Sequence, residues 1–184
     1  GEHAYNQRQD LRRVTLNGVA SVTGSVNTRD GVWVEYYGCF ANCSNLEAVD
    51  ADEALNYVGD RAFLDCPALR EMNGFSNVRT IGWKAFMGCG ALSEFVFTNR
   101  LESIGPSAFS GCRSLSEIFI PDSVTNMERY VFEDCTGLRN IRFGAGWSPI
   151  THAPFDTLGG SPLDNLDTVT INGSGETEVE MGAF

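Results

Sequence analysis

Apolar residues in this chain return in blocks at a fixed distance, and the distance is 23 residues. Phe40, Phe63, Phe86, Phe109, Phe132 and Phe155 form one column, and Phe184 ends the chain as an irregularly spaced seventh member. Cys43, Cys66, Cys89, Cys112 and Cys135 keep the same step, as do Leu46, Leu69, Leu92, Leu115 and Leu138. A fourth column holds Val58, Ile81, Ile104, Met127 and Ile150. Four columns in register across five turns specify a repeat architecture, which has to be recognised before any element is assigned.

Within a unit the pattern changes character. Leu115, Ile118 and Ile120, and again Leu138, Ile141 and Phe143, end in a period-two alternation that predicts a half-buried strand. Pro121-Asp122-Ser123 marks a turn, and a short second extended piece carries the fourth column. Gly59, Gly82 and Gly105 follow that column, and Ala-Phe-x-x-Cys then sets Phe and Cys three apart, the spacing of one helical or 3₁₀ turn facing inward. A unit of this size cannot bury its own apolar face, but stacked units can. Neighbouring strands then pair in parallel about 4.8 Å apart, with like side chains over like. The prediction is an α/β repeat solenoid: a right-handed stack of about seven units with a parallel sheet on one face, forming one domain over 1–184.

The ends are less regular. Residues 1–39 hold a degenerate first unit with Tyr5 for the Phe, Arg8 for the Cys and Leu11, Val14 and Leu16 as its strand. From Tyr5 to Phe40 is 35 residues, so the stretch NGVASVTGSVNTRDG carries an insertion, a hairpin or a surface loop. Residues 40–155 are the regular repeats. In 156–184, Leu158 replaces the Cys, a Gly-Gly-Ser-Pro loop intervenes, and Leu166, Val169 and Ile171 restore a strand. No polar cap is visible at either end, which points to a segment of a longer array or a covered last turn and leaves end-to-end self-association open. The start at Gly1 in place of Met fits a trimmed chain.

The string Leu-x-x-Ile-x-Ile-Pro-x-x-Val-x-x-Ile-Gly-x-x-Ala-Phe-x-x-Cys is supplied piecewise, best by RLESIGPSAFSGCRSLSEIFIPDSV at 100–124 and VRTIGWKAFMGCGALSEF at 78–95. It resembles the BspA-like leucine-rich repeat over roughly residues 32–155. Departures are Glu35 in the Ile column, Met127-Glu128 for Ile-Gly, Val131 for the Ala, and a single strand ending in Ile-Pro. The resemblance implies a leucine-rich-repeat solenoid in a secreted or surface-exposed bacterial or protist protein, associated with adhesion. It supplies no catalytic residues and no cofactor, so the expected role is non-enzymatic.

Charge narrows the partners. With 24 acidic and 13 basic residues the net charge is -11, which disfavours nucleic acid and anionic lipid surfaces. No apolar run reaches the roughly 18 residues of a membrane span, so membrane insertion is not expected. The six cysteines show no Cys-x-x-Cys spacing for a metal. Rungs of a parallel ladder point the same way, leaving Cβ atoms near the strand spacing rather than the roughly 3.8 Å a disulfide prefers, so unpaired core thiols are expected, Cys39 included. His152 lies near Ser148, Thr151 and Asp156, but no hydrolase or phosphate-loop motif accompanies it.

The outward strand positions carry the remaining information. One outward column reads Arg13, Ala48, Glu71, Glu94, Glu117 and Asn140, with three glutamates on successive rungs. The next reads Thr15, Asp50, Asn73, Val96, Phe119 and Arg142, which sets Val96 and Phe119 side by side and exposed. Glu71, Glu94, Val96, Glu117, Phe119 and Arg142 are therefore the candidate partner-binding residues, an acidic rim around an apolar spot. The expected ligand is protein or glycan. A structural spacer with no ligand is one alternative, and a carbohydrate module stacking sugars on Trp33, Tyr36, Tyr37, Trp83 and Trp147 is another.

Overall fold

The computed structural model describes residues 5–23, 28–29, 32–33, 38–145 and 167–171. Its strands are β1 (Arg13–Leu16), β2 (Ser21–Val22), β3 (Thr28–Arg29), β4 (Val32–Trp33), β5 (Ala48–Ala51), β6 (Tyr57–Val58) and β7 (Glu71–Asn73). They continue with β8 (Thr80–Ile81), β9 (Ser103–Ile104), β10 (Glu117–Ile120), β11 (Asn126–Met127), β12 (Asn140–Phe143) and β13 (Thr168–Ile171). The described residues form a solenoid in which a coil lays down a strand, a short extended pair and a turn, except that one coil lacks the strand.

The extended pairs stack into one parallel five-stranded ladder, β2-β6-β8-β9-β11, which places Val22, Val58, Ile81, Ile104 and Met127 on successive rungs. The first rung of this column is thus Val22, not Glu35, because the inserted residues follow the rung instead of preceding it. Glu35 itself lies outside the described residues. Part of the insertion is an antiparallel hairpin of β3 and β4, with Arg29 opposite Val32.

The longer strands were expected to form one sheet and instead form two. β1, β5 and β7 pair in parallel, as do β10, β12 and β13, in the registers Arg13–Ala48–Glu71 and Glu117–Asn140–Thr168. Between them runs 92–98, which is not a strand. No backbone hydrogen bond joins 93–97 to either neighbour among the described residues. The cause lies in the side chains. Phe95 and Phe97 stand where the next coil has Ile118 and Ile120, and the Phe95 ring centroid lies 5.3 Å from that of Phe86 and 5.1 Å from that of Phe109. One coil earlier Gly74 is left-handed at φ 80°, and a Cβ there would sit 1.8 Å from the Ala51 carbonyl oxygen. A 3₁₀ turn, Phe75–Asn77, follows and buries Phe75 edge-on to Phe95. Three extra aromatic rings are packed into this part of the core, and the backbone of 93–97 stands clear of both sheets.

The third side is built from turns. Cys89 N–H donates to Phe86 O, and Cys112 N–H to Phe109 O, the i→i+3 bonding of the expected helical turn. It stops after one turn because left-handed residues recur every coil: Arg61, Lys84, Ser107 and Tyr130 before the Ala or Val, and Asn42, Asp65, Gly88, Gly111 and Asp134 before the Cys. No α-helix occurs among the described residues. Here alternate amides reach the following coil: Arg61, Phe63 and Asp65 donate to the carbonyls of Trp83, Ala85 and Met87, and Lys84, Phe86 and Gly88 to those of Pro106, Ala108 and Ser110.

Inside, the rings form a continuous stack. Tyr5, Phe40, Phe63, Phe86, Phe109 and Phe132 follow one another at centroid distances of 5.2–5.9 Å, each pair within 22° of parallel. Beside them runs a column of free thiols. Each donates to the aromatic carbonyl of the preceding coil: Cys43 to Tyr5 O (2.9 Å), Cys66 to Phe40 O (3.1 Å), Cys89 to Phe63 O (3.2 Å), Cys112 to Phe86 O (3.3 Å) and Cys135 to Phe109 O (3.1 Å). Cysteine suits the position because it is small and apolar yet keeps a weak donor.

Candidate interaction surface

The outward face of the strands divides at the break. On the side of β1, β5 and β7 the charges are paired across rungs. Arg12 and Arg70 flank Glu47, each at 2.6 Å, and Arg13 reaches Asp50 at 2.5 Å and Glu71 at 2.9 Å. The Arg13–Glu71 bridge spans the intervening rung, so Ala48, expected to face solvent, is covered and 1% exposed. Hydrogen bonds from Asn73 and then Arg13 hold the Asp50 carboxyl below its ordinary value, and Arg70 and then Arg12 do the same for Glu47. The sequence reading missed this network, although Glu47 and Arg70 are one period apart and carry opposite charge.

Glu71 belongs to this network. It pairs with Arg13 and lies 3.6 Å from Arg70, and the coil of Glu94 is not hydrogen-bonded to its strand. The three glutamates therefore do not form a continuous row, because Glu94 stands in the break, joined by no backbone hydrogen bond to the strand of Glu71 or to that of Glu117.

At the break and on β10 the face is bare. Val96 is 76% exposed and Phe119 39%, whereas Ile118 is buried at 2%, so the β10 alternation points Phe119 outward. Glu94, Val96, Glu117, Phe119 and Arg142 line one shallow groove together with Phe95, Phe97 and Ile118. Among the described residues no ion pair engages Glu94, Glu117 or Arg142. A second groove, lined by Met72, Gly74, Phe75, Ser76, Phe95, Val96 and Thr98, lies on the other side of the same segment. The sequence signal for it was Gly74-Phe75, which departs from the strand pattern of the other units.

Of the aromatic residues that could stack sugars, Trp83 is described, and its ring is covered by Arg61 at 4.4 Å with Lys84 at 5.1 Å. Tyr36, Tyr37, Trp147 and the side chain of Trp33 lie outside the described residues, as do Ser148, Thr151, His152 and Asp156. Among the described residues no cluster of three or more His, Cys, Asp or Glu could hold a metal ion.

No curated protein matches the chain. Solved structures resemble it. A leucine-rich-repeat protein of T. pallidum is 25% identical with a TM-score of 0.66, over 91% of this chain and 78% of that one. A leucine-rich cell surface protein of Faecalibacterium prausnitzii is 27% identical with a TM-score of 0.62, over 86% of this chain and 36% of that one. The pneumococcal vaccine antigen PcpA shares the fold at 21% identity and a TM-score of 0.65, over 95% of this chain and 48% of that one. This chain thus spans less than half the length of the last two. The model of the BspA type leucine-rich repeat region matches residues 36–158 in 6 copies, which agrees with the thiol and ring columns of the core. The chain belongs to the BspA-type leucine-rich-repeat family.

Proposed function

We propose that this chain is a non-catalytic interaction module of a surface or secreted protein, and that it binds a protein ligand on the strand face. The observation that carries this reading is the pair Val96 and Phe119, apolar and exposed beside Glu94 and Glu117, on a face whose other half is closed by its own ion pairs. Exposed apolar residues rimmed by polar ones mark contact surfaces in soluble proteins. The likeness to a cell surface protein supports an extracellular location. Burial raises the Cys66 and Cys135 thiols to about 12 and keeps these two protonated and unreactive, which is compatible with an oxidising compartment.

The test is binding to a panel of extracellular-matrix proteins and glycans, run beside a Val96→Asp, Phe119→Asp double variant of unchanged melting temperature. Binding that the variant loses is the expected result. Binding retained by the variant moves the site elsewhere, and a folded wild type that binds nothing makes the chain a spacer.

A further inference from the structure

The break between β7 and β10 has a property that an apolar patch alone lacks. Each of these strands is the edge of its sheet, with a partner on one side only. The segment between them, 93–97, makes no backbone hydrogen bond to either. Three rows of main-chain N–H and C=O groups therefore border the two grooves that flank Val96. Unpaired strand edges are templates for another strand, and proteins normally cover, shorten or charge them. Here the neighbouring side chains are exposed Val96 and Phe119, Arg142, and the carboxylates of Glu94 and Glu117, which make no ion pair among the described residues.

We propose that this break receives an extended segment of a partner protein, which pairs main chain to main chain with 94–97 or the β10 edge and sets a basic side chain between Glu94 and Glu117. The proposal rests on the interaction reading above and names the partner's chemistry. Main-chain rows recognise a peptide rather than a sugar, and alternate side chains of the guest fall on the Val96–Phe119 side, as in strand addition elsewhere. Charge selects the guest: a second copy carries the same net charge of -11 and would bring carboxylates against Glu94 and Glu117, whereas a segment alternating basic and apolar residues neutralises them.

The probe is a fluorescein-labelled octapeptide of alternating Lys and Val, titrated by anisotropy. It is compared with a Glu-Val octapeptide and with the Lys-Val octapeptide N-methylated along one edge. Saturable binding of the Lys-Val probe is expected, with about fivefold loss for each main-chain pair removed by methylation. Glu94→Gln with Glu117→Gln should weaken binding about threefold to tenfold while the melting temperature holds. Hydrogen exchange at the amides of 94–97 should be fast in the free chain and slow in the complex. Equal binding of the Lys-Val and Glu-Val probes, undiminished binding of the methylated probe or of the glutamine variant, or no saturable binding overturns the proposal. A matrix protein captured through Val96 and Phe119 while the Lys-Val probe fails leaves the interaction reading standing and removes this one.

Discussion

The Cys112 thiol donates to the main-chain carbonyl of Phe86 in the preceding coil, 3.3 Å away. The same carbonyl accepts the N–H of Cys89, so the thiol supplies its second partner. Cys112→Val removes the donor and keeps an apolar side chain; the expected loss is about 0.5–1.5 kcal/mol in chemical denaturation. Cys112→Ala adds a cavity and should cost more. A Val variant as stable as wild type would show that the column is packing alone.

Burial gives the thiols a second readout. Cys66 and Cys135 are raised from 9.0 to about 12, and Cys89 and Cys112 well above 9.0, each mainly by burial. A raised folded value means stability that is complete below the unfolded value and lost as pH rises toward the folded one, so the window runs from 9.0 to about 12. By pH 10 each such thiol should cost roughly 1.4 kcal/mol. Thermal melts in reductant should fall steeply above pH 9, and a Cys66→Ala, Cys135→Ala variant should show a shallower fall from a lower start. A flat profile to pH 11 contradicts the buried column.

Phe109 lies between Phe86 and Phe132 in the ring stack and also meets Phe95 and Phe97. Phe109→Ala should cost about 3–5 kcal/mol. Calorimetry giving a melting temperature within error of wild type would rule out the stack as the core.

Gly105 is constrained by its neighbour rather than by its own dihedral angles. A Cβ there would lie 2.8 Å from the backbone carbon of Gly82 and 2.8 Å from the nitrogen of Trp83, and backbone cannot yield as a side chain can. Gly105→Ala should destabilise by about 1–3 kcal/mol in urea titration, whereas Gly90→Ala, where a Cβ meets nothing within 4 Å, should be close to neutral.

The stack was legible in the sequence because identical side chains sit over one another, so packing wrote itself as a period. The first ladder rung was not, because 36 residues separate Val22 from Val58 and hide the pairing from a fixed step. One left-handed column is occupied by Asn42, Asp65, Gly88, Gly111 and Asp134, residue types that tolerate the conformation and signal it. The other is occupied by Arg61, Lys84, Ser107 and Tyr130, which signal nothing; the amides of Arg61, Lys84 and Ser107 there are held by hydrogen bonds to the following coil. Outward placement of Val96 and Phe119 followed from alternation. The break did not, because Phe95 and Phe97 satisfy the apolar pattern and reveal their excess bulk only against Phe86 and Phe109. The cover over Ala48 depends on an arginine one rung away and a glutamate on the other side, a relation between three coils that no single repeat contains.

The turn-side hydrogen bonds make the array a vector. Phe40, Phe63, Phe86 and Phe109 all give their N–H to the coil that follows and none to the coil before. A coil inserted upside down would present donor to donor, so only duplications that preserve the chain's sense can lengthen such a protein. For the same reason two copies joined through this ladder must meet head to tail. That is a heterologous contact, which extends into a filament or closes into a ring but never forms a twofold pair.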